Sequence, residues 1–354
     1  MEFCCTNCFF DEWLIGHIKI YGKRVNKCDF CGDKNNFAIN INEFEGLISP
    51  IVGLYTAITN FYPMELLKEG DHSNDMIWDK LTNDWGIFNT PDIAENILSA
   101  IYQDDPREGT FYDFMNDAVA IEEEWSIEHY TIGNLWNEFC VEIKHQNRFN
   151  PKSFNKEMIN LIISANIETI LTGNKFYRAR IQRDKKPYKL NEMGAPAKDL
   201  AIYGRINPQG IPYLYLSENE ETSISEIRPN ILDKVNLAIF ELEKDIKVID
   251  LRNLNIGSPF RWGDNLKEIY LNQAFLNDFS ATVSKPINFK TSYLEYLPTQ
   301  FVSEYIKNRG FDGIIYPSSV CTGYNIALFN EEKCKCISVK KVDISTINYK
   351  FSTS

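Results

Sequence analysis

The sequence predicts an α+β protein built in more than one part, and three observations carry that prediction. Five of the nine cysteines fall within the first 31 residues. Residues 43–172 repeat apolar side chains at three- and four-residue spacing, the period of an amphipathic helix. After Gly173 the chain turns to short runs rich in β-branched and aromatic residues, separated by turn residues. A chain of 354 residues exceeds what most single cores serve, so at least two domains are expected. The expected parts are a zinc-binding segment over 1–42, an acidic helical domain over 43–172 and a mixed-sheet domain over 173–354.

The cysteines of "CCTNC" and "CDFC" give Cys5-x2-Cys8 and Cys28-x2-Cys31, two pairs separated by 19 residues. Two thiolate pairs in short turns can close a tetrahedron around one Zn²⁺, and a site with four protein ligands is closed, so its expected work is structural. It would pin a segment with little core of its own. Cys4 could stand in for Cys5, and His17 lies between the pairs. A zinc knuckle can also touch nucleic acid, but the acidic surroundings disfavour that use. Cys140 falls on a helical apolar face and reads as core, whereas Cys321, Cys334 and Cys336 read as buried or unpaired thiols because C-x-C alone is a poor metal signal.

Within the helical part, "EFEGLISPIVGLYTAI", "PDIAENILSAIY" and "TIGNLWNEFCVEIKH" carry the helical period, and Pro91 suits a first turn. The clearest pattern is "SFNKEMINLIISANIETILTG". Ser153 is expected to cap it, Phe154, Met158, Leu161, Ile162, Ile167 and Ile170 to line one face, and Gly173 to end it. The acidic run at 122–124 reads as a solvated face.

Beyond 173 the expected strands are "KFYRARI", "PYLYLS", "NLAIFELE", "KVIDL", "FDGIIYP", "NIALFN" and "KCISVKKV", with helices near "TSISEI", "LKEIYLNQAFL" and "PTQFVSEYIKNRG". Charge divides along the same line. Residues 1–174 hold 12 Lys and Arg against 28 Asp and Glu, a net of −16, whereas residues 175–354 hold 25 against 21, a net of +4. The overall −12 disfavours nucleic-acid partners, whose phosphates are held mainly by clustered Lys and Arg, and an anionic small molecule would find the second half the better host. No run approaches the ~18 apolar residues of a membrane span, and "MEFCCTNCFF" lacks the basic and apolar regions of a signal peptide, so a cytoplasmic protein is expected.

Chemistry concentrates in "GRINPQGIPYLYLSENEETSISEIRP" at 204–229. Glycines at 204 and 210 permit tight backbone, and Pro212 introduces a strand. Strand alternation puts Tyr213 and Tyr215 on one face and Leu214 and Leu216 on the other. Glu226 follows on a short helix whose Ile224 and Ile227 pack on the sheet, while Glu218, Glu220 and Glu221 read as a solvated turn. Arg205 supplies bidentate donors for phosphate, Tyr215 a flat face for an aromatic ring, and Glu226 a carboxylate for a ribose hydroxyl or a developing cation. Together they suit a dinucleotide whose N-glycosidic bond is broken, although residue chemistry alone does not single that ligand out.

Three blocks, "FYRAR" at 176–180, "GRINPQGIPYLYLSENEETSISE" at 204–226 and "GFDGIIYPSSVCTGYNIALF" at 310–329, resemble in order and wording the blocks of the RES domain. The resemblance spans about residues 175–340, and its middle block is the most specific. It implies a fold related to ADP-ribosyltransferases and membership of a family that includes NAD-degrading toxins of RES-Xre toxin-antitoxin systems. Mapped residue by residue, it assigns the first Arg to Arg178, the second to Arg205, the Tyr to Tyr215, the Glu to Glu226 and the serine to Ser318 with Ser319 as rival, and it places a polar residue at Asn325. Arg180, on the same strand face as Arg178, is the competing arginine. Val320 stands where a basic residue often follows the serine. The first half resembles the HEPN/RES N-terminal domain, but none of its His residues has the preceding Arg that HEPN ribonucleases use, so ribonuclease activity is not expected there.

What the resemblance implies is an NAD⁺ glycohydrolase-like enzyme, with Glu226, Tyr215 and Arg178 catalytic and Arg178, Arg205, Tyr215, Ser318 and Asn325 binding NAD⁺. A mono-ADP-ribosyltransferase using the same site and a non-catalytic NAD-binding module are the alternatives. A regulatory or antitoxin partner is implied, and an oligomer is compatible with everything in the sequence.

Overall fold

In a computed structural model of the protein, the structure describes residues 2–58, 76–102, 118–121, 132–183, 186–254, 256–285 and 293–346. The acidic run at 122–124, and with it His72 and His129, lies outside the described residues. The chain forms two compact units, Met1–Asn134 with Ile256–Leu271 and Leu135–Asn255 with Asn272–Ser354.

In the first unit, β1 (Phe3–Cys5), β2 (Lys23–Lys27) and β3 (Lys34–Asn40) form an antiparallel sheet in the order β1-β3-β2. Between β1 and β2 runs α1 (Glu12–Tyr21), whose N-cap Asp11 accepts a hydrogen bond from the Leu14 amide at 2.7 Å. The cysteine segment is therefore a small sheet-and-helix module and not only a metal loop. Next come α2 (Ile41–Val52), α3 (Ile77–Asp79) and α4 (Pro91–Tyr102), which begins at Pro91 as its spacing predicts. The region is not helical throughout: β4 (Tyr55–Ala57) pairs antiparallel with β5 (Val119–Ile121). Phe44 anchors the core, with Phe9, Phe88 and Phe260 at ring separations of 4.9, 6.1 and 6.4 Å.

The second unit opens with α5 (Ile132–His145), assigned to it from Leu135 onward, and α6 (Lys156–Ala165). There follow β6 (Ile167–Ile170), β7 (Lys175–Ile181), β8 (Leu214–Ser217), α7 (Glu220–Glu226), β9 (Lys234–Leu242) and β10 (Ile246–Asp250). Then α8 (Leu266–Ser284, of this unit from Asn272), α9 (Leu297–Asn308), β11 (Gly313–Pro317), β12 (Tyr324–Leu328) and β13 (Cys334–Asp343) complete it. The eight strands form one mixed sheet in the order β13-β9-β7-β8-β12-β11-β10-β6, with only β10 and β11 parallel. Every strand expected beyond 173 is present in it.

One face of that sheet buries Phe176, Leu214, Leu216, Phe240, Val248, Ile315 and Ile326 in a continuous core. Fully burying a side chain of this size stabilises by about 1.5–3 kcal/mol against an exposed one, so this layer contributes substantially to the unit's stability. A second aromatic cluster joins the helices: Phe139 lies 5.6 Å from Phe154, 5.2 Å from Phe275 and 5.5 Å from Phe301.

The expected helix across 153–173 needs correction. It starts at Lys156, capped by Asn155, whose Oδ1 accepts from the Met158 amide at 3.2 Å; Ser153 instead donates from its hydroxyl to Glu142 Oε2 at 2.6 Å. It stops at Ala165, and Ile167–Ile170 becomes edge strand β6, antiparallel to β10. Ile167 is exposed where the helical reading buried it, and Gly173, at φ +86°, turns the chain from β6 into β7.

Candidate active site

Strand register builds the site. β8 pairs with β12 so that Ser217 opposes Asn325 and Tyr215 opposes Ala327; β12 pairs with β11 so that Asn325 opposes Tyr316. Opposed residues share a face of the sheet, so Ser217, Asn325 and Tyr316 form a transverse row with Tyr215 one pleat away. The opposite face carries Leu214, Leu216, Ile315 and Ile326 into the core. A cavity of about 360 Å³ opens over this row, and Arg178, Gly204, Arg205, Tyr215, Glu226 and Asn325 are among the residues that line it. Arg178, Arg205, Tyr215, Glu226 and Asn325 thus come from four elements and one loop to a single pocket.

β7 and β8 share one register pair, Tyr177 with Ser217, and Arg178 donates from Nη1 to the Tyr215 carbonyl oxygen at 3.1 Å. Burial lowers its pKa to about 10, with the nearby charge of Arg180 acting in the same direction. Arg205 donates from Nη1 to the Val283 carbonyl oxygen at 2.7 Å. Among the described residues neither guanidinium has a carboxylate within ion-pair distance, although the more distant charge of Glu331 favours the Arg178 cation. Arg180 is engaged elsewhere, donating to the Glu192 carbonyl and lying 5.0 Å over the Tyr188 ring.

The loop that delivers Arg205 is organised by Asn207, which is buried. Its Nδ2 donates to the carbonyls of Ile202, Pro208 and Ile211 at 3.0, 3.2 and 3.1 Å, and its Oδ1 accepts from the Tyr215 hydroxyl at 2.8 Å. From α9, Gln300 donates to the carbonyls of Gly204 and Asn207 at 2.8 and 3.0 Å, and Thr299 donates to that of Arg205. Burial pushes the pKa of both the Tyr215 and the Tyr316 phenol up, so both rings stay neutral. Tyr213 serves the core: its hydroxyl donates to Glu304 and its ring packs 4.9 Å from Phe329.

Glu226 ends α7, and its Oε1 accepts from Asn325 Nδ2 at 2.6 Å and from the Ser318 hydroxyl at 2.7 Å. Asn325 Oδ1 in turn accepts from the Ser217 hydroxyl at 2.7 Å. Neutral donors therefore fix one carboxylate oxygen, while Oε2 takes no hydrogen bond among the described residues. Ser318 occupies this position, whereas Ser319 Oγ is buried with no partner among the described residues. Of the other glutamates in the stretch, Glu220 pairs with Lys340 at 2.7 Å and Glu218 accepts from the Tyr324 amide at 3.2 Å, so neither is a merely solvated turn residue.

Sequence reasoning did not single out Asn207, Ser217, Tyr316 or Gln300. Asn207 and Ser217 fall inside the quoted block, and the available signal was their parity with Arg205 and Tyr215. Tyr316 and Gln300 depend on long-range pairing that spacing does not reveal.

In the first unit the sulfurs of Cys5, Cys8, Cys28 and Cys31 lie within 4.8 Å of one another, with Cys5–Cys31 at 3.4 Å and Cys8–Cys28 at 3.5 Å. Cys4 turns away, its Sγ 3.7 Å from the Ile39 carbonyl oxygen, and His17 sits between the rings of Trp13 and Tyr21.

No curated protein matches the chain. Among solved structures, a chain of the M. tuberculosis MbcT–MbcA toxin-antitoxin complex aligns with a TM-score of 0.31 and 13% identity, covering 53% of this chain and 93% of that one. The RES domain family matches residues 175–352, the part of the chain that contains β7 to β13 and every residue lining the pocket. With half of its length matched, and with the three sequence blocks meeting in one cavity, the chain belongs to the RES domain family.

Proposed function

We propose that the protein cleaves the N-glycosidic bond between nicotinamide and ribose in NAD⁺, releasing nicotinamide and ADP-ribose. The carrying observation is the charge pattern of the pocket: two guanidinium groups without acid partners beside one carboxylate whose Oε2 is left for a ligand. A pyrophosphate would pair with two guanidinium groups that, among the described residues, have no carboxylate within ion-pair distance. Arg178 and Arg205 hold the pyrophosphate or the nicotinamide ribose, and the aromatic walls Tyr215 and Tyr316 accept the flat nicotinamide ring.

Glu226 Oε2 accepts a ribose hydroxyl and faces the sugar carbon as positive charge develops there. The bond from that carbon to the ring nitrogen breaks, and its electron pair leaves with nicotinamide, which becomes neutral. Water then adds to the oxocarbenium-like carbon and loses a proton to solvent. A leaving group that is already cationic needs no general acid, which suits a pocket with neutral phenols and no histidine among its described lining residues. Fixed electrostatics therefore supplies the rate enhancement, with Asn325 and Ser318 holding the carboxylate in place before substrate arrives.

Incubating the purified protein with NAD⁺ and following free nicotinamide by chromatography tests the proposal. Glu226→Gln keeps the shape but removes the charge, and we expect nicotinamide release to fall by about 10²–10³-fold with an unchanged thermal midpoint. A fully active, folded Glu226→Gln protein sinks the assignment. In the same reaction, free ADP-ribose indicates hydrolysis, whereas mass added to a macromolecule indicates ADP-ribosyl transfer.

We further propose that Cys5, Cys8, Cys28 and Cys31 hold a structural Zn²⁺. Tetrahedral Zn–S bonds of about 2.3 Å separate sulfurs by about 3.8 Å, and the four sulfurs are close enough to adopt that spacing.

A further inference from the structure

Three tyrosines gather beside the pocket without serving a core. The Tyr203 ring lies 6.2 Å from that of Tyr293 and 5.9 Å from that of Tyr296. Tyr203 is 44% exposed and Tyr293 50% exposed, so flat aromatic faces meet solvent where a folding core would cover them. Their position is tied to the pocket on both sides. Tyr203 directly precedes Gly204 and Arg205, which line the cavity. Tyr296 leads into α9, and the Thr299 hydroxyl donates to the Arg205 carbonyl while lying 3.0 Å from the Tyr296 carbonyl oxygen. Gln300 holds the Gly204 carbonyl at 2.8 Å. One short helix start therefore positions both the cation and the aromatic cluster.

We infer that this cluster is the subsite for the adenine ring of the dinucleotide, an inference that rests on the proposed NAD⁺ reaction. A dinucleotide carries a ring at each end of its pyrophosphate. With nicotinamide between Tyr215 and Tyr316 near Glu226 and the pyrophosphate at Arg205, the second ring leaves the cavity past Gly204. Two residues of chain span at most about 7 Å, so the Tyr203 backbone stays within reach of a base whose phosphate Arg205 holds. Stacking on an exposed tyrosine selects an aromatic base without reading its edges, as solvent-facing rings do in single-strand binding proteins. The phenol groups keep the platform wet when no ligand is bound.

The test compares NAD⁺ with nicotinamide mononucleotide, which carries the same scissile bond and no adenine. In Tyr203→Ala the ratio of kcat/KM for NAD⁺ to that for the mononucleotide should fall about tenfold, and Tyr203→Phe, which keeps the ring, should restore it. Tyr293→Ala, lying beyond the loop that bears Arg205, should lower the same ratio and guards against a Tyr203 variant that fails to fold. An unchanged ratio in both alanine variants overturns the subsite, as does failure of Tyr203→Phe to restore it. If the wild-type protein releases nicotinamide from neither compound, the glycosidase reading falls by itself. The subsite is then judged on the ratio of dissociation constants measured by calorimetry with the same variants: a tenfold fall supports it, and an unchanged ratio or no NAD⁺ binding overturns it.

Discussion

Gly204 shows how tightly the pocket is set. A Cβ at this position would lie 2.3 Å from Asn207 Oδ1 and 3.2 Å from the Tyr215 hydroxyl, the two atoms whose hydrogen bond fixes the ring. Neither partner can retreat freely, because Asn207 is also bonded to three carbonyls of the loop. Gly204→Ala should therefore cost about 1–3 kcal/mol in chemical denaturation and lower nicotinamide release more than the stability loss alone explains, because Tyr215 loses its anchor. Unchanged stability and turnover would show that the loop repacks at no cost. Part of this site was legible in the sequence: the residues themselves suggested Arg205, Tyr215 and Glu226, the resemblance to the RES domain added Arg178 and Asn325, and all five line one cavity. Asn207 and Ser217 escaped because parity with Arg205 and Tyr215 alone does not show which neutral side chain finds a buried partner, here the Tyr215 hydroxyl and Asn325. Arg178 and Arg180 illustrate the limit of parity, since both occupy one strand face yet only Arg178 reaches the Tyr215 carbonyl.

Individual elements were clearest where only one pattern fitted. "KFYRARI" and "KCISVKKV" form the long strands they read as, whereas "NLIISANIETI" satisfied two patterns at once. Its isoleucines at 167 and 170 continue the helical spacing, but Ile-Glu-Thr-Ile is also β-branched at alternate ends. Asn166 decides between them: its Nδ2 donates to the Ile162 carbonyl at 2.8 Å, closing the helix, and its carbonyl accepts from the Asp250 amide at 2.9 Å, opening the strand. Charge fastens the resulting edge, with Arg252 donating to Asp250 Oδ2 at 2.8 Å and to Glu168 Oε2 at 2.7 Å. Burial pushes the Asp250 carboxyl up, but the hydrogen bonds and charge of Arg252 outweigh it and hold the group below the usual carboxylate value. A carboxyl depressed in the folded state contributes stability that is present above its unfolded pKa of about 3.9 and is lost as pH falls through the folded value. Urea titrations between pH 6 and pH 3 should accordingly show a loss of stability below about pH 4 that Arg252→Leu makes shallower. Parallel curves for the two proteins would remove the pair from the acid response.

At the scale of the molecule, the sequence divides near 173 by composition, whereas the compact units take residues 135–172 into the same unit as the large sheet and return residues 256–271 to the first. The reason is physical. Phe139 and Phe154 pack on Phe275 and Phe301, and Ile170 belongs to the core of the sheet, so burial joins what charge and periodicity separate. Long-range returns of this kind leave no local mark, because Phe260 reads as a loop residue until Phe44 is beside it. The first unit differs from the second in where its order comes from. Its sheet has three short strands, and β2 buries none of its residues, so little apolar area holds the cysteine turns in place. The four sulfurs are drawn together by β1, the turn after it and the turn before β3, an arrangement that thiols gain little from unless a cation binds them. We therefore expect one zinc per chain by atomic emission. Cys28→Ser should lose that metal and become protease-sensitive within the first 58 residues, while the second unit's fragments stay intact. Chelation of the wild-type protein should reproduce both effects, since metal affinity and local folding are one free energy in a site of this type. Metal-free protein that resists cleavage as well as the zinc form would show that the sheet and α1 suffice to hold the turns.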